Sequence, residues 1–521
     1  MHFVVYAGDV AVSAGAAPLS RWTSVDQVKA HFFDQLRTLG PVTPLDPDAT
    51  TPDLAALLAQ PDTVLAYVHG DTGSPLQTRL QTLPHRSLWH SLGGLMLPDR
   101  VARLAAGGPT RMNLVMTPLQ RDRLRHYLGE AVPGLGVMPY PIDTDFWRPP
   151  TQDERREARD ALALADAATH LVYAGRLLVT KGLSQMVQAI ETRPSATVAL
   201  TWAGRSEADF PIQALSTDHR AFPAYVERRW RPETTPFLRV APAQDAAGLR
   251  RLLWAADAFV CPSWHEDENY GITPRQAALC GVPPVVTDFA GLGDLARHLP
   301  WGGVPTYPTA AGVRFSLRDL RACLDAALAH PRDDAAWQDR VRASCDRSAA
   351  AAGLQEALTR LLAQPLQAPP PADPEGRAAF RRLFQLADPL LVEAITSRAA
   401  SAPAGLFAPG TGPHNPEFPA NEFFAAVQGL YTTVPRRPEV VDGSAWGGFF
   451  PVTLDPDRRA LVEDGYPGPR VWPLEAEAWD ALQASIDRST SSLRLLTRTP
   501  RARAIVEPLV AAGFLVPDDA P

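Results

Sequence analysis

Between Cys261 and Asp288 the chain runs from an apolar strand end into an acidic turn, Glu266-Asp267-Glu268, then a glycine at the mouth of a helix, Gly271-Ile272-Thr273. A Gly281-Val282-Pro283 stop follows, and then a second apolar run, Val285-Val286. Few folds accommodate that order. It describes a strand, a loop, a helix and the next strand of an open α/β sheet, in which ligands sit beyond the carboxyl ends of the strands. A helix that opens at Gly271-Ile272-Thr273 turns free N–H groups and the positive end of its dipole toward that edge, which suits an anion such as a phosphate.

The same alternation extends through the chain. Phe3-Val4-Val5-Tyr6 and Thr63 to Val68 read as buried strands separated by a helix from Val25 to Leu39. His170 to Gly175, Thr197 to Gly204 and Ala258-Phe259-Val260 repeat the pattern further on. Strands alternating with helices predict parallel sheets, each covered by its own connections. We therefore expect an α/β protein with two doubly wound, Rossmann-like lobes, residues 1–148 and 149–364. The joint falls in the proline-rich run from Val137 to Pro150, where continuous helix is excluded. Residues 365–376 are rich in proline and predict an extended spacer. Residues 377–521 form an accessory region that is mainly helical in its periodicity, with a helix near Phe380 to Ser401 and a loop at Pro409 to Pro413. The spacing of its last fifty or so residues resembles small winged-helix modules, including peptide-binding ones. No repeat of 20 to 50 residues points to a solenoid.

Composition narrows the partners. With 521 residues, 21% charged, and a formal charge of −7, the chain has no bulk electrostatic pull toward nucleic acid or an anionic membrane. Its four cysteines, Cys261, Cys280, Cys323 and Cys345, have neither the spacing of a zinc site nor that of a disulfide framework. A reducing cytoplasm is the expected location. Met1 to Gly8 enters a strand without a leader-like pattern, and no run of about 18 apolar residues predicts a membrane span.

A second segment carries chemistry. Gly175-Arg176-Leu177-Leu178-Val179-Thr180-Lys181-Gly182 follows a strand and precedes a helix, so a small residue and two permanent cations stand at the ligand-binding edge of a sheet. Taken alone, Arg176 and Lys181 read as solvated surface charges. Together with the Glu268 segment on a neighbouring unit they read as one phosphate-binding edge.

These two segments resemble the retaining family-4 glycosyltransferases of the GT-B fold. The family pattern Gly-Arg-Leu-x-x-x-Lys-Gly is matched from Gly175 to Gly182. Glu268 takes the first position of the Glu-x7-Glu signature, Asn269-Tyr270-Gly271 replaces Gly-Phe-Gly, and Gln276 stands where the second Glu is expected. The resemblance implies two lobes facing across a cleft and a nucleotide-sugar donor. It further implies that Arg176 and Lys181 hold the donor diphosphate, with Gly175, Gly271 and Ile272 as donor-binding backbone, and that Glu268 lies near the donor sugar. Gln276 would meet the ribose hydroxyls, where an amide accepts one hydrogen bond and donates another but forgoes a charge-assisted bond. Transfer without a metal and with retention at the anomeric carbon is implied as well.

In the first lobe, His90 ends a strand, Arg86-Ser87-Leu88-Trp89-His90, where the family often carries an acceptor-side histidine; His69 competes for that role. Gly15 and Ala16 approximate the family's Gly-Gly acceptor loop. Asp294 falls near a family acid but has an ordinary capping explanation. Arg121 to Leu128 makes a short basic helical face of the kind through which some relatives dock peripherally to membranes, although such a face is more often simply solvated.

The expected activity is sugar transfer from a nucleotide-diphosphate sugar to a glycan, lipid, small-molecule or peptide acceptor, with Glu268 and His90 as catalytic candidates. No cofactor or metal is required. A nucleotide-sugar-binding scaffold that has lost turnover is the alternative, since Gln276 and the altered Tyr140-Pro141 joint depart from the pattern. A peptide or protein glycosyltransferase that presents its acceptor through the C-terminal region is a further one; it predicts that removal of residues 377–521 abolishes transfer and spares donor hydrolysis.

Overall fold

The computed structural model describes residues 1–6, 24–45, 49–68, 83–90, 110–128, 134–165, 168–177, 179–191, 193, 197–204, 237–265, 268–309, 312–332, 334–366, 438–441, 444–449, 452–457, 459–463, 470–484, 486–487, 494–497, 500–511 and 514–518. Gly15, His69, Glu266 and Asp267, most of the spacer, the helix expected near Phe380 and the loop at Pro409 lie outside these residues.

The chain forms two compact units. The first comprises described residues within 1–146, 267–272 and 340–406, and the second those within 147–266, 273–339 and 407–521. In the first, β1 (His2–Tyr6), α1 (Ser24–Leu39), β2 (Val42–Pro44), α2 (Thr51–Leu58), β3 (Thr63–Val68), β4 (Arg86–His90), β5 (Arg111–Val115), α3 (Pro118–Leu128) and β6 (Leu135–Val137) follow one another. Their sheet is six-stranded with order β2-β1-β3-β4-β5-β6, parallel throughout. Strands such as Phe3-Val4-Val5 and Val64-Leu65-Ala66 are buried along their length, as a sheet covered on both faces requires. Helix α2 begins where its sequence dictates: Thr50 and Asp53 form a reciprocal capping box, with a proline in the first turn.

In the second unit the order is α4 (Gln152–Ala161), β7 (Thr169–Ala174), a 3-10 turn (Val179–Lys181), α5 (Leu183–Ile190), β8 (Val198–Ala203), β9 (Leu238–Ala241), α6 (Ala246–Ala255), β10 (Ala258–Cys261), α7 (Ile272–Leu279), β11 (Pro284–Val286), α8 (Ala290–Ala296), a hairpin β12 (Thr306–Thr309) and β13 (Gly312–Phe315), and α9 (Leu317–Ala329). The five-stranded sheet has the order β11-β10-β7-β8-β9, again parallel. Strand order reverses between β7 and β10, which makes that point the crevice of a doubly wound sheet.

The units do not follow the chain as a simple succession. Helices α10 (Ala335–Cys345) and α11 (Arg347–Leu362) come after the second sheet, yet α11 packs on β4, β5 and β6 of the first. Leu354, Ala357, Leu358 and Leu361 are its buried face. Gly136 leaves room for Ala357, and Gly353 lies so close to the Val137 carbonyl that a Cβ would stand 2.1 Å from it.

The C-terminal region contains more strand than its periodicity suggests. Strands β14 (Ala445–Gly448), β15 (Val452–Asp455), β16 (Ala460–Glu463), β17 (Arg470–Pro473), β18 (Ile486–Asp487), β19 (Arg494–Leu496) and β20 (Leu515–Pro517) accompany helices α12 (Ala476–Ala484) and α13 (Pro500–Ala511). They form sheets ordered β18-β19-β14-β20 and β15-β16-β17 around Trp446, Leu461, Leu495, Leu509 and Leu515. The strands are too short for an alternating pattern to stand out against the two helices. No helix among the described residues is long and apolar enough to cross a membrane.

Candidate functional site

The expected phosphate-binding residues of the second unit lie at its crevice. β7 ends at Ala174, and Tyr173 donates its hydroxyl proton to the Arg176 carbonyl at 2.6 Å, which curls the loop back over the strand end. Gly175 is exposed, Arg176 half-buried, and Lys181 buried at the end of the 3-10 turn. Gly182 then caps α5 in the left-handed region, with φ 76° and ψ 23°.

The next loop is fastened to this one. The Trp264 amide donates to the Thr180 carbonyl at 2.9 Å, and Ser263 Oγ donates to the same oxygen at 3.4 Å. The Ser263 hydroxyl also accepts from the His265 amide at 3.2 Å. From the third loop, after β11, Thr287 Oγ1 donates to the Ser263 carbonyl. Ser263, His265 and Thr287 are fully buried. Three βα loops at the carboxyl ends of β7, β10 and β11 are thus stitched together through Thr180, Ser263 and Thr287, none of which was a candidate from sequence. Their signal was slight: Ser263 and Thr287 are short polar residues just after buried strands, and Thr180 takes part through its backbone carbonyl, which any residue would supply.

Gly182 is where this stitching leaves no slack. An added Cβ would lie 2.5 Å from the Pro262 carbonyl oxygen and 2.6 Å from Pro262 Cγ. The glycine therefore supplies both a positive φ and the close approach of two loops.

Gln276 sits half-buried in α7, one residue beyond Arg275, which is wholly buried. Arg275 Nη2 meets Asp294 Oδ2 at 3.1 Å. Asp294 lies within α8 and not at its start, so this ion pair replaces the capping explanation given from sequence. The Cys280 thiol at the end of α7 is pushed up to about 12 by burial, and Cys323 likewise, so neither is a thiolate at neutral pH.

Residues 268–272 group with the first unit. Glu268 is half-buried there. Asn269 Oδ1 accepts from Gln120 Nε2 at 3.3 Å. Tyr270 is buried, donates to the Tyr140 carbonyl at 3.1 Å and meets the Tyr140 ring edge-on at 6.3 Å. The substitutions at Tyr140 and Tyr270 therefore form one contact. Gly271 has φ 70° and leads into Ile272, the first residue of α7. Glu268, Gly271 and Ile272 thus belong to the first unit, and Gly175, Arg176, Lys181 and Gln276 to the second.

His90 ends β4 as expected, but it is 1% exposed and lies against the Phe32 ring, centroids 5.4 Å apart. Burial takes its pKa down to about 4 against a hydrogen bond to the Met138 backbone, so the imidazole is neutral at pH 7. Gly15 and His69 follow β1 and β3, the strands at which the first sheet reverses its order, and both lie outside the described residues. On α3, Arg121 pairs with Asp122 at 2.9 Å and Arg125 is exposed. Among the described residues no three His, Cys, Asp or Glu come together as a metal site requires.

Residues 168–310 match the family described as Glycosyl transferases group 1. A D-inositol 3-phosphate glycosyltransferase of Jonesia denitrificans is 26% identical over 162 residues, 30% of this chain and 36% of that protein. An alpha-maltose-1-phosphate synthase of Mycobacterium tuberculosis is 24% identical over 264 residues, 48% of this chain and 65% of that protein. The chain thus spans less than two thirds of the length of either relative. Among solved structures, a glycosyltransferase from Rickettsia africae ESF-5 is similar with a TM-score of 0.48 and 10% identity, over 70% of this chain and 99% of that one.

Proposed function

We propose, from the match of residues 168–310 to the glycosyl transferases group 1 family, that this protein transfers a sugar from a nucleoside-diphosphate sugar to an acceptor, with retention at the anomeric carbon and without a metal. The observation that carries the proposal is the stitched set of loops at the strand-order reversal of the second sheet, with Arg176 and Lys181 on the first of them.

Cleavage of the bond between the anomeric carbon and the diphosphate leaves positive charge on the sugar and negative charge on the departing phosphate oxygens. Fixed cations aimed at those oxygens stabilise the charge as it develops, and loops already tied together need little reorganisation to do so. Arg176 and Lys181 take that role, with Gly175 giving the phosphates access to the backbone. Gly271 and Ile272 at the start of α7 add helix N–H groups. Glu268 bonds the donor sugar and Gln276 the ribose hydroxyls. His90 acts as a neutral imidazole that orients a hydroxyl, since a group with its pKa near 4 is a poor base at pH 7. Gly15 and His69 serve the acceptor side. The acceptor hydroxyl enters on the face the diphosphate leaves. The acceptor is a glycan, lipid, small molecule or peptide, and the cytoplasm is the compartment that fits four buried free thiols.

Thermal stabilisation by UDP, GDP, ADP and TDP tests the donor site. One base should raise the melting temperature, and Arg176→Ala should weaken its binding roughly 10- to 150-fold, the worth of a charge-assisted hydrogen bond. No shift with any of the four would defeat the proposal. Gln276 in place of a carboxylate favours a second reading, a binding scaffold without turnover. Stabilisation without donor hydrolysis, together with a gain in affinity in Gln276→Glu, would select it.

A further inference from the structure

Among the described residues, the C-terminal region joins the rest of the second unit at these points. Ser316 Oγ, at the cap of α9, donates to the Pro517 carbonyl at 3.0 Å. Arg321 of α9 pairs with Asp518, both nearly buried. The third point is Phe449, just after β14. Its ring is fully buried, edge-on to Trp264 at 5.0 Å and to Phe315 at 5.1 Å, with the Arg314 guanidinium 4.5 Å from its centroid. Its carbonyl accepts from two buried side-chain amides of α5, Gln185 Nε2 at 2.6 Å and Gln188 Nε2 at 3.0 Å.

Those amides explain an oddity of α5. All eight residues of the helix are buried, whereas a helix on one face of an open sheet ordinarily keeps a polar side in water. Gln185 and Gln188 stand three apart and so share a face. That face is covered by the C-terminal region, and Phe449 O satisfies the two amide nitrogens, which would otherwise be buried without a partner, a costly state. The same residue bears on the first two loops of the crevice. Its ring presses on Trp264, whose amide holds the Thr180 carbonyl beside Lys181, and its carbonyl holds the helix that Gly182 caps.

We propose that Phe449 is a positioning residue for the phosphate-side loops: the C-terminal region fixes the Thr180–Gly182 turn through Trp264 on one side and through Gln185 and Gln188 on the other. The proposal rests on the donor-site reading above and deepens it. It also departs from the acceptor-presenting role, in which the donor half works without the C-terminal residues.

The test compares the full-length protein with Phe449→Ala and Phe449→Leu. Leucine keeps an apolar side chain of similar reach; both variants keep the backbone carbonyl, so Phe449→Ala removes the ring alone. Amide hydrogen exchange is followed over residues 179–190, and UDP, GDP, ADP and TDP dissociation constants are measured well below each variant's melting temperature. In Phe449→Ala the segment should exchange at least tenfold faster and the bound nucleotide weaken at least fivefold; Phe449→Leu should stay within twofold of the parent on both. Unchanged exchange in Phe449→Ala overturns the proposal, as does equal damage in Phe449→Leu, which would mark a general loss of packing. Should Phe449→Ala fail to fold, Gln188→Met decides by the same exchange, because it removes one of the two amide donors at similar volume. If the parent binds none of the four nucleotides, the donor reading falls while the exchange result still judges this one.

Discussion

Gly182→Ala puts the contact between the first two crevice loops to a quantitative test. Two costs add at this position. Holding alanine at φ 76° costs about 1–2 kcal/mol through its Cβ and carbonyl contacts. The new methyl would also stand 2.5 Å from the Pro262 oxygen, so the loops must part, an overpacking cost of about 1–3 kcal/mol. Gly302 provides the control, for it has φ 70° with nothing within 4 Å of an added Cβ. Gly302→Ala should therefore show only the backbone cost. Followed by calorimetry, Gly182→Ala should melt about 5 °C below Gly302→Ala, given about 2–4 °C per kcal/mol for a domain of this order of size. Nucleotide stabilisation should survive in Gly302→Ala and fall in Gly182→Ala, because the separated loops carry Lys181. Equal melting temperatures for the two variants would refute the packing of Gly182 on Pro262 and, with it, the rigidity ascribed to the crevice.

Acid should destabilise the protein before its carboxylates titrate. His85, His90 and His170 are all held near a pKa of about 4 by burial. The unfolded chain, with pKa near 6.5, then binds more protons than the folded one between these values, so stability is complete above pH 6.5 and declines as pH falls toward 4. Urea midpoints should drop between pH 6.5 and 5, and a flat profile there would show these imidazoles to be solvated. Asp294→Asn leaves the wholly buried Arg275 cation without its counter-charge and should cost about 3–5 kcal/mol in denaturant unfolding, while Arg275→Met with Asp294→Leu should recover most of it. A neutral Asp294→Asn would mean that water reaches the pair.

Both sheets were legible because their strands are buried on two faces and write themselves as continuous apolar runs, as at Phe3 to Tyr6 and Ala258 to Cys261. The crevice was legible for a related reason: Arg176 and Lys181 lie just past such a run, where a polar stretch has a fixed place. Partner choice was not. The buried stripe of α11 shows that the helix packs, but nothing in Leu354, Ala357, Leu358 and Leu361 names the sheet that receives it. Gln185 and Gln188 are polar residues at helical spacing, a pattern that a solvated face and a docked one share, and only the Phe449 carbonyl tells them apart. Asp294 read as a cap because its ion-pair partner lies nineteen positions earlier, on a different helix. Local chemistry is written locally, whereas docking between distant segments depends on shape that a one-dimensional pattern does not carry.

The return of α11 to the first sheet sets a timetable for synthesis. β6 is complete at Val137, yet the helix that covers it ends at Leu362. At roughly 5–20 residues per second, the intervening 225 or so residues take about 10–45 s to emerge. Through that interval Gly136 waits for Ala357, and the strand face that α11 covers lacks that cover. The whole five-stranded sheet is made meanwhile, so the unit begun first on the ribosome is closed only after the chain has laid down the sheet of the second, whose C-terminal cover is still to come.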